Sequence, residues 1–271
     1  MLKWCSYCQH FLGEKEPYEI LEFTHGICEN CRKLGRQKDA AHLKNLRPII
    51  DFYNNLKDRA LRSERLQLSE VIAESKQLGL SPLDTAIGVL QPALTEMGTL
   101  YAQGKVTAAK EHAFTTFVDR MVTHLLASSN GLVLSDEMQP SVVLTCIDGN
   151  YHWLGLKLLE LALLEEQVPT RLFIPSLPTA EIIQLALEMR PQVLGISIFD
   201  RTQTVEAQNI LAGIRAGTID GYVPKIAVGG NGARVFLDEH GVDQLIEDDV
   251  GYFRQAYDFT NFLKSFLKKS A

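Results

Sequence analysis

The 271-residue chain predicts an α/β protein in which a doubly wound parallel sheet forms the second half, preceded by a helical bundle and a small cysteine-rich module. Three observations carry this expectation. From Ser141 onward short apolar runs alternate with helical stretches, as a parallel sheet covered on both faces requires. From Arg47 to Ser129 apolar residues recur at helical spacing without a period-two strand. Four of the five cysteines lie in the first 31 residues. The boundaries that follow are a cysteine module over 1–38, a bundle over 42–130, a linker over 131–140 and the sheet domain over 141–271.

The cysteines stand as Cys5-x2-Cys8 and Cys28-x2-Cys31 with 19 residues between the pairs. The opening residues lack the apolar core and cleavage site of a secretory signal, so a cytoplasmic protein is expected, and a reducing cytosol disfavours disulfides. Two residues between thiolates let both sulfurs face one ion, and two such pairs complete the tetrahedral shell that Zn2+ prefers. Redox dithiols or unliganded thiols are the alternative. Four sulfurs leave no open coordination position, so the zinc would be structural, with His10 and His25 surplus to the shell. The stretch Phe23-Thr24-His25-Gly26-Ile27-Cys28 resembles the ending of a short cysteine module attached to histidine kinases and response regulators, which implies signalling.

The bundle reads as four helices joined by short turns. Ile49, Ile50, Phe52 and Tyr53 begin the first; Leu66, Leu68, Val71 and Ile72 mark the second, which Gly79 and Ser81-Pro82 close. The third spans about Leu83 to Tyr101, and Gln103-Gly104-Lys105 turns the chain into a fourth that ends near Leu126. Beyond the linker the strands are expected at Val142–Thr145, Arg171–Ile174, Leu194–Ile198 and Lys225–Val228. In doubly wound folds ligands bind outside the carboxyl ends of the strands, so the following loops should carry function.

Those loops are Asp148-Gly149-Asn150-Tyr151-His152-Trp153-Leu154-Gly155, Ser197-Ile198-Phe199-Asp200 and Gly229-Gly230-Asn231-Gly232. Together they resemble the cobalamin-binding domain of methionine synthases, corrinoid methyl carriers and certain sensors, a flavodoxin-like (Rossmann-like) fold. The resemblance implies that His152 is the lower axial ligand to cobalt, displacing the cofactor's own base, with Asp148 in the same loop and Gly155 giving the nucleotide tail room. It also implies that Ser197, Gly229 and Gly230 accommodate that tail. The family's carboxylate beneath the histidine is replaced by Asn150, whose side-chain oxygen could accept the ring proton but carries no charge.

A second resemblance comes from Leu90-Gln91-Pro92-Ala93-Leu94, Met97-Gly98, Tyr101, Gly104 and Glu111-His112, which is similar to the helical cap preceding that domain. In the family the cap lies over the corrin's upper face, and in adenosylcobalamin photoreceptors a tryptophan and a Glu-His pair surround the upper ligand. Here Tyr101, Glu111 and His112 keep the spacing, with tyrosine for tryptophan and Ala102 where some light sensors place a histidine.

Composition trims the functional classes. Lys and Arg total 27 against 33 Asp and Glu, a net charge of −6, which argues against direct DNA binding. No apolar run approaches the ~20 residues of a membrane span, and no helix-turn-helix precedes the bundle. The expectation is a cobalamin-binding sensor, with a photoreceptor acting through the upper axial ligand as one form of it, holding adenosylcobalamin or methylcobalamin and signalling through a regulatory protein partner that controls transcription or another output. A homo-oligomer stays open. The alternatives are a corrinoid methyl carrier of a methyltransferase system and a haem-binding sensor of the same fold. No autonomous catalytic set is visible, and Cys146 sits in an apolar strand where a thiol packs.

Overall fold

The computed structural model describes residues 1–38, 40–128 and 139–270, and the chain divides into two compact units, Met1–Ser128 and Ser129–Ala271. Most of the expected linker, 131–138, lies outside the described residues.

In the amino-terminal unit, β1 (Leu2–Cys5), β2 (Phe11–Glu14) and β3 (Phe23–Gly26) form a sheet in the order β2-β1-β3, with β1 antiparallel to β2 and parallel to β3. A short helix, α1 (Glu29–Lys33), follows with Cys28 as its N-cap, the sulfur accepting the Cys31 N–H. The bundle helices are α2 (Arg47–Leu61), α3 (Leu68–Gln77), a continuous path through α4 (Pro82–Thr85), a π-helical stretch Ala86–Leu90 and α5 (Gln91–Ala102), and then α6 (Ala108–Ser128). Ser81 starts the third path: its hydroxyl accepts the Asp84 N–H while the Asp84 carboxylate answers the Ser81 N–H, and Pro82 presets the first helical φ. The π stretch has an identifiable cause. Pro92 brings no N–H to the ladder and its ring crowds the carbonyl four residues back, at Gly88; the turn before it widens, so that the Gln91 N–H reaches Ala86 O.

That widened turn is where the cysteine module meets the bundle. Trp4 is fully buried, stacks on Phe23 at 5.8 Å and meets Phe11 edge-on at 5.2 Å, while Phe23 meets Tyr53 of α2 at 5.5 Å. A Cβ built on Gly88 would lie 2.6 Å from two Trp4 ring carbons, so the indole occupies the space that glycine leaves. Asp84 adds a polar clasp: its Oδ1 accepts the Phe11 N–H at 2.8 Å, and its Oδ2 lies 2.8 Å from His10 Nδ1. A module of about 38 residues is too small for an adequate core of its own; here it shares the bundle's.

The carboxy-terminal unit holds a six-stranded sheet of β4 (Val142–Ile147), β5 (Thr170–Leu177), β6 (Val193–Ser197), β7 (Lys225–Gly229), β8 (Gln244–Glu247) and β9 (Val250–Phe253), in the order β5-β4-β6-β7-β9-β8. All pairings are parallel except β8 with β9. Residues of α8 (Thr179–Met189), α9 (Thr204–Gly217) and α10 (Asn231–His240) pack into one core, and residues of α7 (Leu154–Glu165) and α11 (Ala256–Ser270) into another, so helices cover both faces. This is the expected flavodoxin-like arrangement with two strands beyond the four anticipated. The added hairpin turns at Asp248 and Asp249, both with positive φ (44° and 72°), as a two-residue turn between right-twisted strands demands. Its strand β8, Gln244-Leu245-Ile246-Glu247, is short, largely exposed and only half apolar, which hid it from an apolar-run search.

Strand order reverses at β4, which pairs with β5 on one side and β6 on the other. The loops leaving β4 and β6 therefore start from adjacent points at the switch in strand order, the place where sheets of this class bind ligands.

Candidate cofactor site

Asn150 organises this switch point. It is 1% exposed, its amide donates to Ser197 O at 2.9 Å and Ser197 Oγ at 3.2 Å, and its Oδ1 accepts the His152 backbone N–H at 2.9 Å. The oxygen expected to receive the ring proton is thus committed to the loop's own backbone, an Asx turn that shapes residues 150–152. Gly149 supports that turn with φ +73°. His152 is exposed, its ring stacks on Phe199 with centroids 4.3 Å apart and planes 10° from parallel, and among the described residues neither ring nitrogen has a hydrogen-bond partner. Asp148 and Tyr151 are exposed beside it, Tyr151 to 68%.

The end of β7 closes in through glycine. Gly230, at φ +94°, lies so near β6 that a Cβ would sit 2.4 Å from Ile198 O and 3.0 Å from Ser197 Oγ. No side chain fits there. Gly229 and Gly155, by contrast, face open space within 4 Å. The residues expected to admit a nucleotide tail thus divide into one that lets strands approach and two that leave room. Below them burial pushes the Cys146 thiol up to about 12, with Ser197 pulling weakly the other way. That group is a neutral packing atom at physiological pH.

In the amino-terminal unit, Tyr101 at the end of α5 is 49% exposed. Glu111 Oε2 lies 2.5 Å from His112 Nδ1, and its Oε1 accepts the Thr115 hydroxyl at 2.7 Å. His112 is exposed, and no hydrogen bond joins Tyr101 to either residue among those described. The Gln103–Thr107 turn separates them, with Gly104 at φ +70°.

The four sulfurs of Cys5, Cys8, Cys28 and Cys31 lie within 4.8 Å of one another, Cys8 and Cys28 at 3.6 Å. A tetrahedral Zn–S shell needs sulfurs roughly 3.8 Å apart, so the set fits one ion. Burial pushes the Cys5 thiol up, but N–H groups of Cys28, Cys8 and Tyr7 outweigh it and bring the thiol down to about 6; burial raises Cys8 and Cys31. His25 lies 3.4 Å from Ser6 Oγ and, like His10, stands outside the sulfur set.

Two residues of the switch point escaped sequence reasoning. Gln203 accepts the Phe199 N–H at 2.9 Å and the Asp200 N–H at 3.2 Å, and donates to Asp148 O at 3.3 Å, lacing the β6 loop to the β4 loop. The Asp200-x-x-Gln203 capping spacing was the available signal. Gly232 packs α10 against the β6 loop, a Cβ there lying 2.5 Å from the Asp200 backbone; nothing local distinguishes it from a turn glycine.

Residues 53–126 match the family model of the B12 binding domain. By fold the chain is similar to the monomethylamine corrinoid protein of Methanosarcina barkeri, at TM-score 0.57 and 11% identity over 80% of this chain and 98% of that one. A cobalamin-binding protein from Desulfitobacterium hafniense DCB-2 (15% identity, 79% and 98% covered, TM-score 0.37) and a methanol:cobalamin methyltransferase complex from Methanosarcina barkeri (13%, 80% and 80%, 0.36) resemble it more loosely and carry no argument. No curated protein matches the sequence. The chain thus shares its fold with the monomethylamine corrinoid protein, and its residues 53–126 match the model of the B12 binding domain. The haem alternative draws no support from these matches. No helix of the described residues is long and apolar enough to cross a membrane.

Proposed function

We propose that the protein binds cobalamin and, in its methylcobalamin form, carries a methyl group between separate methyltransferases, adenosylcobalamin belonging to the sensor reading below. The observation that carries the cofactor assignment is the His152 imidazole: exposed at the topological switch point, with neither ring nitrogen bonded among the described residues, and with room at Gly229 beside the strand ends. A neutral imidazole is a good donor to a borderline metal. When bound, cobalamin supplies reversible cobalt–carbon chemistry, and the chain holds and orients it. In this reading His152 is the lower ligand, Ser197, Gly155, Gly229 and Gly230 accommodate the tail, and Tyr101, Glu111 and His112 serve the upper ligand. The carrier is preferred to the sensor because the chain shares its fold with a monomethylamine corrinoid protein.

The sensor is the second reading, and Asn150 favours it. With its amide and oxygen spent on Ser197 and the His152 backbone, no carboxylate stands beneath the imidazole to couple proton uptake to the metal. A regulatory protein partner belongs to this reading. The four cysteines are proposed to hold one structural zinc per chain, which elemental analysis of protein purified without chelator tests directly.

Reconstitution with each cobalamin in the dark and after green light is the decisive experiment. His152→Ala should weaken binding and move the visible spectrum toward a base-on or water-ligated form; unchanged affinity and spectrum defeat the assignment. Methyl transfer from the methylcobalamin-loaded protein to a thiol in the presence of a methyltransferase supports the carrier. A light-dependent change of oligomeric state or partner affinity without such transfer, blunted by Tyr101→Ala, supports the sensor.

A further inference from the structure

We infer that Phe199 is a positioning residue that sets the imidazole of His152 for metal ligation by its face, taking over the orienting role that a carboxylate partner at the ring edge would serve. The inference rests on His152 being the lower ligand. An exposed histidine on a loop has two free torsions, and fixing them on binding costs conformational entropy. Metal-ligating imidazoles ordinarily avoid that cost through a hydrogen bond at the second nitrogen. Among the described residues His152 has none: Asn150, the buried polar side chain of its own loop, gives its amide to Ser197 O and Ser197 Oγ and turns its oxygen to the His152 backbone N–H.

What holds the ring is Phe199. The near-parallel stack at 4.3 Å covers one imidazole face and leaves the edge, with both nitrogens, open. Phe199 is itself pinned. Gln203 Oε1 accepts its N–H and that of Asp200, while Gln203 Nε2 grips Asp148 O, four residues before His152. A single glutamine therefore ties the platform to the loop that carries the ligand, and the geometry exists without cofactor. Holding the ring by its face also leaves its second nitrogen unbonded, so this arrangement orients the ligand without adding the basicity a carboxylate confers.

The test compares wild type with Phe199→Ala, Phe199→Tyr and Gln203→Ala by three readouts. In the cofactor-free protein, NMR of the His152 ring protons reports the stack: they should lie upfield in wild type and Phe199→Tyr and move downfield in Phe199→Ala. Titration with methylcobalamin should show Phe199→Ala binding about three- to tenfold more weakly, equivalent to about 0.7–1.4 kcal/mol, with Phe199→Tyr close to wild type and Gln203→Ala intermediate. The visible spectrum should show a smaller histidine-ligated fraction in Phe199→Ala at saturation. Phe199 is 46% exposed, so the alanine variant should fold, and retained Tm confirms it. Histidine-ligated wild type with an unaltered Phe199→Ala in affinity and spectrum overturns this inference alone. Wild type that never shows histidine ligation overturns the functional reading and this inference with it.

Discussion

Gly88→Ala sets two effects of known size against each other. In an ordinary helix the change adds about 1 kcal/mol of stability, because glycine forgoes more backbone entropy than alanine. At Gly88 the new methyl would lie 2.6 Å from Cη2 and Cζ2 of Trp4 and 3.1 Å from Phe11 Cβ. Those atoms cannot yield easily. The indole is fully buried and held between Phe11 and Phe23, and the backbone beneath is already widened by the π turn. Overpacking by a methylene costs about 1–3 kcal/mol in a well-packed core, and two rigid ring contacts place this case at the upper end. The expected net is a loss of about 1–2 kcal/mol, or a fall of roughly 4–8 °C in Tm for a unit of this size. Gly98→Ala on α5 is the control: nothing lies within 4 Å of its Cβ position, so it should stabilise the cofactor-free protein by about 0.5–1 kcal/mol. With only two tryptophans in the chain, a Trp153→Phe background leaves Trp4 emission as the probe of the amino-terminal unit. A Gly88→Ala protein as stable as its parent would refute the claim that the cysteine module and bundle share a core at this point.

Asp84→Ala should cost about 2–4 kcal/mol, since it strips the acceptor from the Phe11 N–H, the Ser81 N–H and the Ser81 hydroxyl at a site 4% exposed; urea denaturation measures it, and Asp84→Asn should lose less. Removing the proposed zinc with a strong chelator should red-shift Trp4 emission in the Trp153→Phe protein, because Cys5 adjoins the buried indole and metal binding free energy is folding free energy in so small a module. Cys146, with its thiol raised to about 12, keeps its proton in the folded state where the unfolded chain, near 8.5, has released it. The unfolded state then binds fewer protons, so stability falls as pH rises, by about 1.4 kcal/mol per unit between pH 9.5 and 10.5. Cys146→Ala should remove that slope when the two unfolding curves are compared across the interval.

How much of this was legible in advance depended on whether the signal was local. Parallel strands buried on both faces are continuous apolar runs, and helices against a core repeat at their own period, so β4 to β7 and the bundle helices stood out. The doubled C-x2-C pairs were equally plain, because two residues of spacing by themselves bring paired sulfurs to one ion. The loops could be nominated because strand ends are where such sheets bind ligands, and within them His152, Ser197, Gly229 and Gly230 were singled out by the resemblance to cobalamin-binding domains. Their partnerships were another matter. That Asn150 spends its amide on Ser197, 47 positions away, and not on the ring of His152, is decided by the pairing of β4 with β6. Phe199 becomes the face beneath His152 only when Gln203 laces two loops that lie more than 45 residues apart in the chain. Trp4 reads as a residue of a small surface module until the π turn above Pro92 presents Gly88 to it. Periodicity and spacing determine which elements form; which side chains meet across them follows from close packing between distant segments, and that only the tertiary structure decides.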